Sequence, residues 1–270
     1  LSARLHHQLS SSSQLQFSLG HSRSPLNYYS TPGTGATAAG GPGTIADRPY
    51  RSWFANAQLA SRLSSRHQLT TGADTRHDQS SLAESAVPNW TRRTESPSLS
   101  SNSQGAAFNQ GAYIQDQFRA AERLTLTAGA RYDYWHTYDG AYGSASSATT
   151  LQSRSNHSAS LKAAALYRLP LGLALRASAG NSFRSPSVYD LYRTWRSSTG
   201  ITYAANPDLL PERLTAFEVG LARRWSNRLE LDAAFFHNRV SNLIYRSTDL
   251  ATDPSGRYRP VVNAGRGRTR

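Results

Sequence analysis

The chain has 270 residues, no cysteine and no methionine, and its formal net charge of +13 at pH 7 comes from 29 arginines and one lysine. The lack of cysteine excludes disulfides and thiolate metal sites. No run approaches the roughly 18 consecutive apolar residues of a membrane-spanning helix, and the mean hydropathy is −0.57.

The most informative pattern is an alternation of apolar and polar residues, which is clearest from Leu124 to Tyr134. The apolar phase is Leu124, Leu126, Ala128, Ala130, Tyr132 and Tyr134, and the polar phase is Thr125, Thr127, Gly129, Arg131 and Asp133. Successive side chains of a strand point to opposite faces, so this pattern predicts a strand with one apolar and one polar face. We predict eleven such strands, near residues 1–9, 13–21, 50–61, 65–77, 105–118, 124–136, 157–169, 172–182, 213–225, 229–240 and 257–270.

The connections between these strands alternate strictly in length. The short ones are 10–12, 62–64, 119–123, 170–171 and 226–228, and the long ones are about 22–49, 78–104, 137–156, 183–212 and 241–256. Tight turns at one end and long loops at the other, with strands of roughly ten residues, are typical of bacterial outer-membrane barrels. The sequence therefore predicts an all-β fold, an antiparallel transmembrane β-barrel or part of one, in a single domain over 1–270.

Two other fold classes have to be weighed. Leu, Ile, Val and Phe make up 47 of the 270 residues, and such a low content with a high net charge is typical of disorder. The periodicity over eleven segments argues against disorder. A soluble β-sandwich would need a core rich in β-branched residues, yet Val and Ile total ten, and several predicted strands are about twice the usual length in soluble proteins.

The positive charge is spread along the chain. The arginines at 266, 268 and 270 resemble a nucleic-acid patch, but the other arginines occur in most strands and loops instead of forming one stripe. This distribution favours a wet barrel interior and a surface that faces anionic lipopolysaccharide or anionic ligands. We expect outer-membrane lipid and lipopolysaccharide as partners, and no nucleic acid.

No catalytic or metal-binding motif stands out. The sequence contains no Gly-x-Ser-x-Gly elbow, no His-Glu-x-x-His and no phosphate-binding loop. His6 and His7 are adjacent, so on a strand they point to opposite faces, and the other histidines are isolated. We expect no enzyme activity, no cofactor and no metal site, although the many serines leave an outer-membrane hydrolase open.

The aromatic residues fall into two groups. The first group lies where strands meet loops and predicts a girdle at the membrane interface; it comprises Tyr50, Trp53, Phe54, Tyr132, Tyr134, Trp135 and Tyr138. The second lies with arginines inside the loop 183–212 and comprises Arg184, Tyr189, Tyr192, Arg193, Trp195, Arg196 and Tyr203. Rigid rings beside guanidinium groups offer stacking, cation–π contacts and a bidentate grip on carboxylate or catecholate. This mixture predicts a ligand-binding loop, with ordinary loop packing as the alternative.

Several strings resemble landmarks of one family. The hairpin from Ala112 to Phe118 and from Leu124 to Asp133 resembles the mid-barrel hairpin of TonB-dependent outer-membrane receptors. The segment Ser182-Phe183-Arg184-Ser185-Pro186, followed by Asn206-Pro207-Asp208-Leu209-Leu210-Pro211-Glu212 and Glu218-Val219-Gly220, is similar to the family's most recognisable barrel strings. Asn263-Ala264-Gly265 looks like its next landmark. The resemblance spans about 105–270, and residues 1–104 fit by strand rhythm.

The resemblance implies a receptor in the bacterial outer membrane that takes up a ferric siderophore or cobalamin with energy from the TonB complex. Family members have about 22 strands around a plug domain, whereas eleven strands and no plug are predicted here. We therefore expect a barrel fragment that lacks the plug, through which TonB acts, and the last strands. A passive porin-like or structural barrel is the alternative function.

Overall fold

A computed structural model describes residues 1–24, 29–92, 97–197, 200–226, 229–251 and 253–269. Residues 227–228 of the last predicted turn, residue 270 of the last predicted strand and parts of four long connections lie outside this range. The elements are β1 (Ser2–Ser10), β2 (Ser13–Ser24), β3 (Tyr29–Pro32), β4 (Gly43–Asp47), β5 (Tyr50–Arg62), β6 (His67–Val87), β7 (Ser98–Ala121), β8 (Leu124–Ser144), β9 (Ser147–Thr150), β10 (Arg154–Arg168), β11 (Leu173–Arg184), α1 (Val188–Tyr192), β12 (Trp195–Arg196), β13 (Thr202–Ala204), β14 (Glu212–Ser226), β15 (Leu229–Ser241), β16 (Ile244–Arg246), β17 (Tyr258–Asn263) and β18 (Arg266–Thr269).

One large sheet contains the predicted strands. Its order is β1-β2-β5-β6-β7-β8-β10-β11-β14-β15-β18, and β3, β4 and β9 pair beside this path. Neighbours along the path are antiparallel, as between β8 and β10. The prediction of eleven consecutive antiparallel strands is therefore confirmed. Among the residues that the structure describes, no helix is long and apolar enough to cross a membrane.

The strand ends differ from the prediction at two places. Strands β6, β7 and β8 continue well into the predicted loops 78–104 and 137–156, where alternation is too weak to reveal a strand. The predicted strand 257–270 is wrong as one strand, because β17 belongs to a separate four-stranded sheet and β18 to the large sheet. The chain bends between them where the Asn263 side-chain amide donates to the carbonyls of Leu210 and Asn242.

The exposure of the large sheet is the reverse of that in a soluble protein. On β8, Tyr132 is 55% exposed and the adjacent Asp133 is 8% exposed. On β10, Leu161 is 61% exposed. Large exposed apolar side chains also line one face of β1, β2, β14 and β15. A contiguous apolar surface of this size is found where a protein faces hydrocarbon, so the sheet has an apolar, lipid-facing face and a polar face.

Charged side chains on the polar face neutralise one another. Arg131 on β8 donates from Nη1 to Asp74 Oδ2 at 2.6 Å and from Nε to Asp133 Oδ1 at 2.8 Å. Arg176 donates from Nη2 to Asp232 Oδ1 at 2.8 Å and from Nε to Glu218 Oε1 at 3.2 Å. These clamps join β6 to β8 and β11 to β15 across the strand between them. They satisfy charges on a face that hydrocarbon does not reach.

The girdle prediction holds for part of the aromatic set. Tyr132, Tyr134 and Trp53 are exposed in the apolar phase. Trp135 was assigned wrongly, because it is 6% exposed, follows the phase of Asp133 and stacks on Phe183 with ring centroids 5.3 Å apart. Tyr50 and Phe54 lie in the polar phase of β5, where they are opposite Ser80 and Arg76 of β6. The hydroxyl of Tyr138 forms a hydrogen bond with the His77 ring.

The two-faced sheet predicts opposite responses to a new charge. Leu161→Arg places a guanidinium in hydrocarbon, and we expect it to destabilise the folded protein by ~2–4 kcal/mol in a lipid or detergent unfolding experiment. Thr127→Arg adds the same group to the polar face and should change the unfolding free energy by about 0.5 kcal/mol or less. Equal costs would contradict the assignment of the faces.

The Arg131 clamp depends on a glycine beneath it. A Cβ at Gly111 would lie 1.9 Å from Arg131 Nη2 and 2.8 Å from Asp133 Oδ1, so Gly111→Ala should push the guanidinium off its carboxylates at a cost of about 1–2 kcal/mol. Gly265 is the matched control, because a Cβ there meets nothing within 4 Å. Urea unfolding of both variants measures the difference, and a neutral Gly111→Ala would show that the clamp contributes little.

Candidate functional site

Two long loops build a second, small sheet at the end of the strands opposite the tight turns. Its order is β12-β13-β17-β16. Trp195 lies opposite Tyr203 in the antiparallel pair of β12 and β13. Tyr203 in turn lies opposite Arg259 in the parallel pair of β13 and β17. Residues from the loop 183–212 and from the region after residue 241 are thereby brought side by side.

A helix start and a small apolar core hold the first of these loops. Ser187 caps α1, since its hydroxyl accepts the Asp190 N–H while the Asp190 carboxylate accepts the Ser187 N–H. This reciprocal arrangement is a capping box. Behind the helix, the side chains of Leu191, Tyr192, Leu209 and Val261 form a buried cluster. The loops are therefore folded on a core of their own.

Tyr192 fixes this unit to the large sheet. Its side chain is 2% exposed, and its ring covers Gly105 of β7 and Gly140 of β8, where an added Cβ would come within 2.1 and 2.5 Å of ring carbons. Two glycines thus make the depression that the ring fills. Tyr192 is one of the predicted ligand residues, but this geometry favours an anchoring role for it.

Aromatic rings and guanidinium groups gather on the small sheet into what we call the aromatic–arginine cluster: Tyr189, Arg193, Trp195, Tyr203, Arg246 and Arg259. Trp195 and Tyr203 stack with ring centroids 4.2 Å apart. The Arg193 guanidinium carbon lies 4.5 Å from the centroid of Tyr189. The guanidinium carbon of Arg246 lies 5.7 Å from Tyr189 and 5.2 Å from Tyr203, within cation–π range.

Arg246 and Trp195 contribute three nitrogen atoms that have no hydrogen-bond acceptor among the described residues. Nη1 and Nη2 of Arg246 and Nε1 of Trp195 are buried without a hydrogen-bond partner among the described residues. Leaving such groups unsatisfied costs free energy, and most of all when the group is charged. Ring faces stabilise the Arg246 cation but supply no oxygen acceptor. An oxygen acceptor or a negative charge that reached these nitrogen atoms would satisfy them.

The remaining predicted residues lie beside the cluster. Arg184 forms a bidentate pair with Glu212 at 2.6 and 2.7 Å, and Glu212 also accepts the Ile244 N–H at 2.7 Å. Arg184 therefore ties the end of the large sheet to the start of β16. Arg196 follows Trp195 on β12 and is exposed. The predicted residues Tyr189, Arg193, Trp195 and Tyr203 lie together in the structure. Their role in ligand binding stays a prediction.

Arg246 and Arg259 were not among the predicted site residues. Both come from a part of the chain more than 40 residues beyond Tyr203. Only the parallel pairing of β13 with β17 and the pairing of β16 with β17 bring them to the cluster. The position of Arg246 in the long loop 241–256 was a weak signal that it belongs to the site, because the long loops of a barrel lie at the same end.

A turn before β17 orders the second loop. Asp253 accepts the Ser255 hydroxyl at 2.6 Å and the Tyr258 N–H at 2.5 Å, and these bonds hold the pKa of Asp253 below its ordinary value. Because the pKa of Asp253 is lower in the folded turn, its bonds stabilise the turn fully at pH values above the ordinary aspartate pKa. This stabilisation is lost as the pH falls through the lowered pKa. These bonds therefore stabilise the turn at neutral pH. Among the described residues, no group of three or more His, Asp or Glu side chains could hold a metal ion.

A sheet with one lipid-facing side, tight turns at one end and folded loops at the other defines the class of outer-membrane β-barrels. A family model described as "TonB dependent receptor-like, beta-barrel" matches residues 1–270. The chain belongs to this family and is an outer-membrane protein. The resemblance found in the sequence is thereby confirmed, and it extends to residues 1–104.

Solved structures share the fold at low identity. The copper transporter OprC is 18% identical, with a TM-score of 0.69 over 91% of this chain and 39% of that one. The closed form of the ferric-catecholate import receptor Fiu from E. coli K12 is 17% identical, with a TM-score of 0.66 over 99% of this chain and 42% of that one. The ferripyoverdine receptor of Pseudomonas aeruginosa, bound to ferripyoverdine, is 15% identical, with a TM-score of 0.64 over 99% of this chain and 36% of that one.

The chain spans less than half the length of these three structures. Identities this low establish a common fold and leave ligand and activity to be argued from the residues themselves. A comparison with curated proteins gave no match.

The anchoring role of Tyr192 can be tested. Tyr192→Ala should leave the depression over Gly105 and Gly140 empty at a cost of roughly 3–5 kcal/mol to loop docking, and protease cleavage within 185–211 should accelerate while the barrel stays folded. Tyr192→Phe keeps the ring and is the control, expected to be cleaved at the wild-type rate. If the alanine variant is cleaved at the wild-type rate, Tyr192 does not anchor the loop.

Proposed function

We propose that this chain is the barrel part of a receptor that takes up a large, scarce nutrient across the outer membrane, with a ferric siderophore as the ligand class and cobalamin as the second choice. The observation that carries the proposal is the buried Arg246 guanidinium, whose Nη1 and Nη2 atoms have no acceptor among the described residues. It lies between Tyr189 and Tyr203. Membership of the receptor family supports the same function.

The chemistry of the cluster favours an anionic metal chelate. Catecholate, carboxylate and hydroxamate oxygens accept hydrogen bonds from a guanidinium in its plane, two at a time. Flat chelating groups also stack on the Trp195 and Tyr203 pair. Cobalamin carries less negative charge than an anionic ferric complex, so the guanidinium of Arg246 favours the ferric complex. Relatives with the same fold include a ferric-catecholate import receptor and a ferripyoverdine receptor.

Binding and passage require no covalent chemistry in this reading. The cluster captures the ligand at the loop end, and the polar face of the sheet offers a wet route past the lipid-facing wall. The energy for release and passage would come from the TonB complex acting through a plug domain. We infer no enzyme activity, because the cluster contains donors and rings but neither an activated nucleophile nor a general base.

A charge-removing substitution tests the ligand site. Arg246→Met keeps the length and the apolar stem of the side chain, and we expect it to weaken binding of an anionic ferric complex by about 10- to 100-fold, the value of one to two charged hydrogen bonds. Tryptophan fluorescence quenching on the full-length gene product measures the affinity, with ferric tris-catecholate, ferric citrate, ferric hydroxamate and cobalamin as probes.

The control is Arg257→Met, which removes the same charge from an exposed loop position outside the cluster. It should bind as the wild type does. If both variants lose affinity equally, the effect is one of net charge and the cluster is not the site. If the wild type binds none of the four probes, the proposed ligand class is wrong.

A further inference from the structure

A basic cleft lies at the tight-turn end of the large sheet, far along the strands from the aromatic–arginine cluster. Its lining includes the side chains of Arg62, Arg66, Arg119, Arg168, Ser64 and Ser65. The turn between β5 and β6, the turn between β7 and β8 and the end of β10 bring these residues together. The Arg119 N–H donates to the Arg66 carbonyl at 2.8 Å and closes the two turns on each other.

The strand register places three of these arginines on the polar face. Arg62 lies opposite Gln68, Gln68 lies opposite Gln117, and Arg119 lies opposite Thr125. On β10, Arg168 follows the phase of Lys162, which lies opposite Gly129 of the polar face. Four exposed guanidinium groups therefore border one cleft.

The cleft differs from the rest of the polar face in having no carboxylate in its lining. Elsewhere on that face, Arg76, Arg131, Arg176, Arg184 and Arg224 each pair with Asp or Glu. The acid nearest to the cleft in sequence is Asp116. It pairs instead with His67 at 2.7 Å, in the apolar phase of β7. Glu122 lies in the turn between β7 and β8 but is not part of the lining. The four arginines thus repel one another with no carboxylate among the residues that line the cleft, and an external anion would relieve this repulsion.

Hydroxyl groups complete the lining. Ser64 Oγ accepts the N–H groups of Arg66 and His67, each at 3.1 Å. With its acceptor capacity used by the turn, the Ser64 hydroxyl proton is free to donate. Ser65 is exposed beside it. Guanidinium forks with hydroxyl donors are the groups that bind a phosphate with two or more oxygens engaged.

We propose that this cleft is a binding site for a phosphate-class anion, carried by free phosphate or by the headgroup of an anionic lipid at the near membrane surface. The site is separate from the proposed nutrient site and needs none of its residues. The bound anion neutralises the arginines at the tight-turn end of the polar face, as carboxylates do elsewhere on that face. Its affinity falls with ionic strength, because its lining is exposed.

The test uses the full-length gene product with two probes. Inorganic phosphate is titrated calorimetrically in a zwitterionic detergent, and anionic lipid is measured by native mass spectrometry from nanodiscs of phosphatidylglycerol and phosphatidylcholine. Arg119→Gln with Arg168→Gln should weaken binding at least about tenfold. The control is the double variant Arg4→Gln with Arg224→Gln, which removes the same charge from exposed polar-face positions outside the cleft. Arg224 already pairs with Glu230. The control should bind both probes as the wild type does.

Each outcome decides the proposal. Binding of phosphate alone, or enrichment of phosphatidylglycerol alone, supports the site and identifies the source of the anion, provided that the cleft variant loses it and the control keeps it. No binding of either probe by the wild type, or equal loss in both variants, overturns it. Heat-modifiable gel migration of each variant shows that its barrel is folded. Ferric-complex binding is measured in parallel, so failure of the nutrient site is seen separately.

Discussion

The whole structure depends on hydrocarbon meeting one face of the sheet. With lipid outside, exposed side chains such as Leu161 and Phe235 are in their preferred solvent. The opposite face is then left to polar groups, and they satisfy one another in clamps such as Arg131 with Asp74 and Asp133. The chain lacks the β-branched core of a soluble sandwich for the same reason: its sheet buries little against itself.

The lipid-facing sheet also explains where a binding site can form. Among the described residues, the buried apolar cluster that includes Leu191 and Val261 lies in the loops, beyond the part of the strands that lipid covers. Strands β6–β8 extend past their predicted ends and provide a rigid platform there. The depression over Gly105 and Gly140 receives Tyr192. Rings and guanidinium groups of the aromatic–arginine cluster are therefore fixed by a folded unit, which reduces the ordering cost of binding.

The sequence was sufficient for features of short range. A period of two fixes the face of each residue, and alternating turn lengths fix the neighbours, so eleven strands and their order were predictable. Trp135 was misassigned because it was grouped with its aromatic neighbours, although it is two residues after Asp133 and therefore shares the polar phase. The split of 257–270 depends on the Asn263 side chain reaching Leu210. Arg246 reaches Tyr203 through strand pairing between distant loops, and periodicity carries no information about such pairing.

The distribution of counter-charges links the two ends of the sheet. With 29 arginines and one lysine, the chain uses the planar fork that grips carboxylates bidentately. In the middle of the polar face, each clamp finds its carboxylates on its own strand or on strands one or two away. At the loop end, Arg246 has rings but no oxygen acceptor. At the tight-turn end, Arg119 and Arg168 border a cleft without an acid. Guanidinium groups without a carboxylate beside them therefore lie at both ends of the sheet, while the clamps between them pair their charges internally.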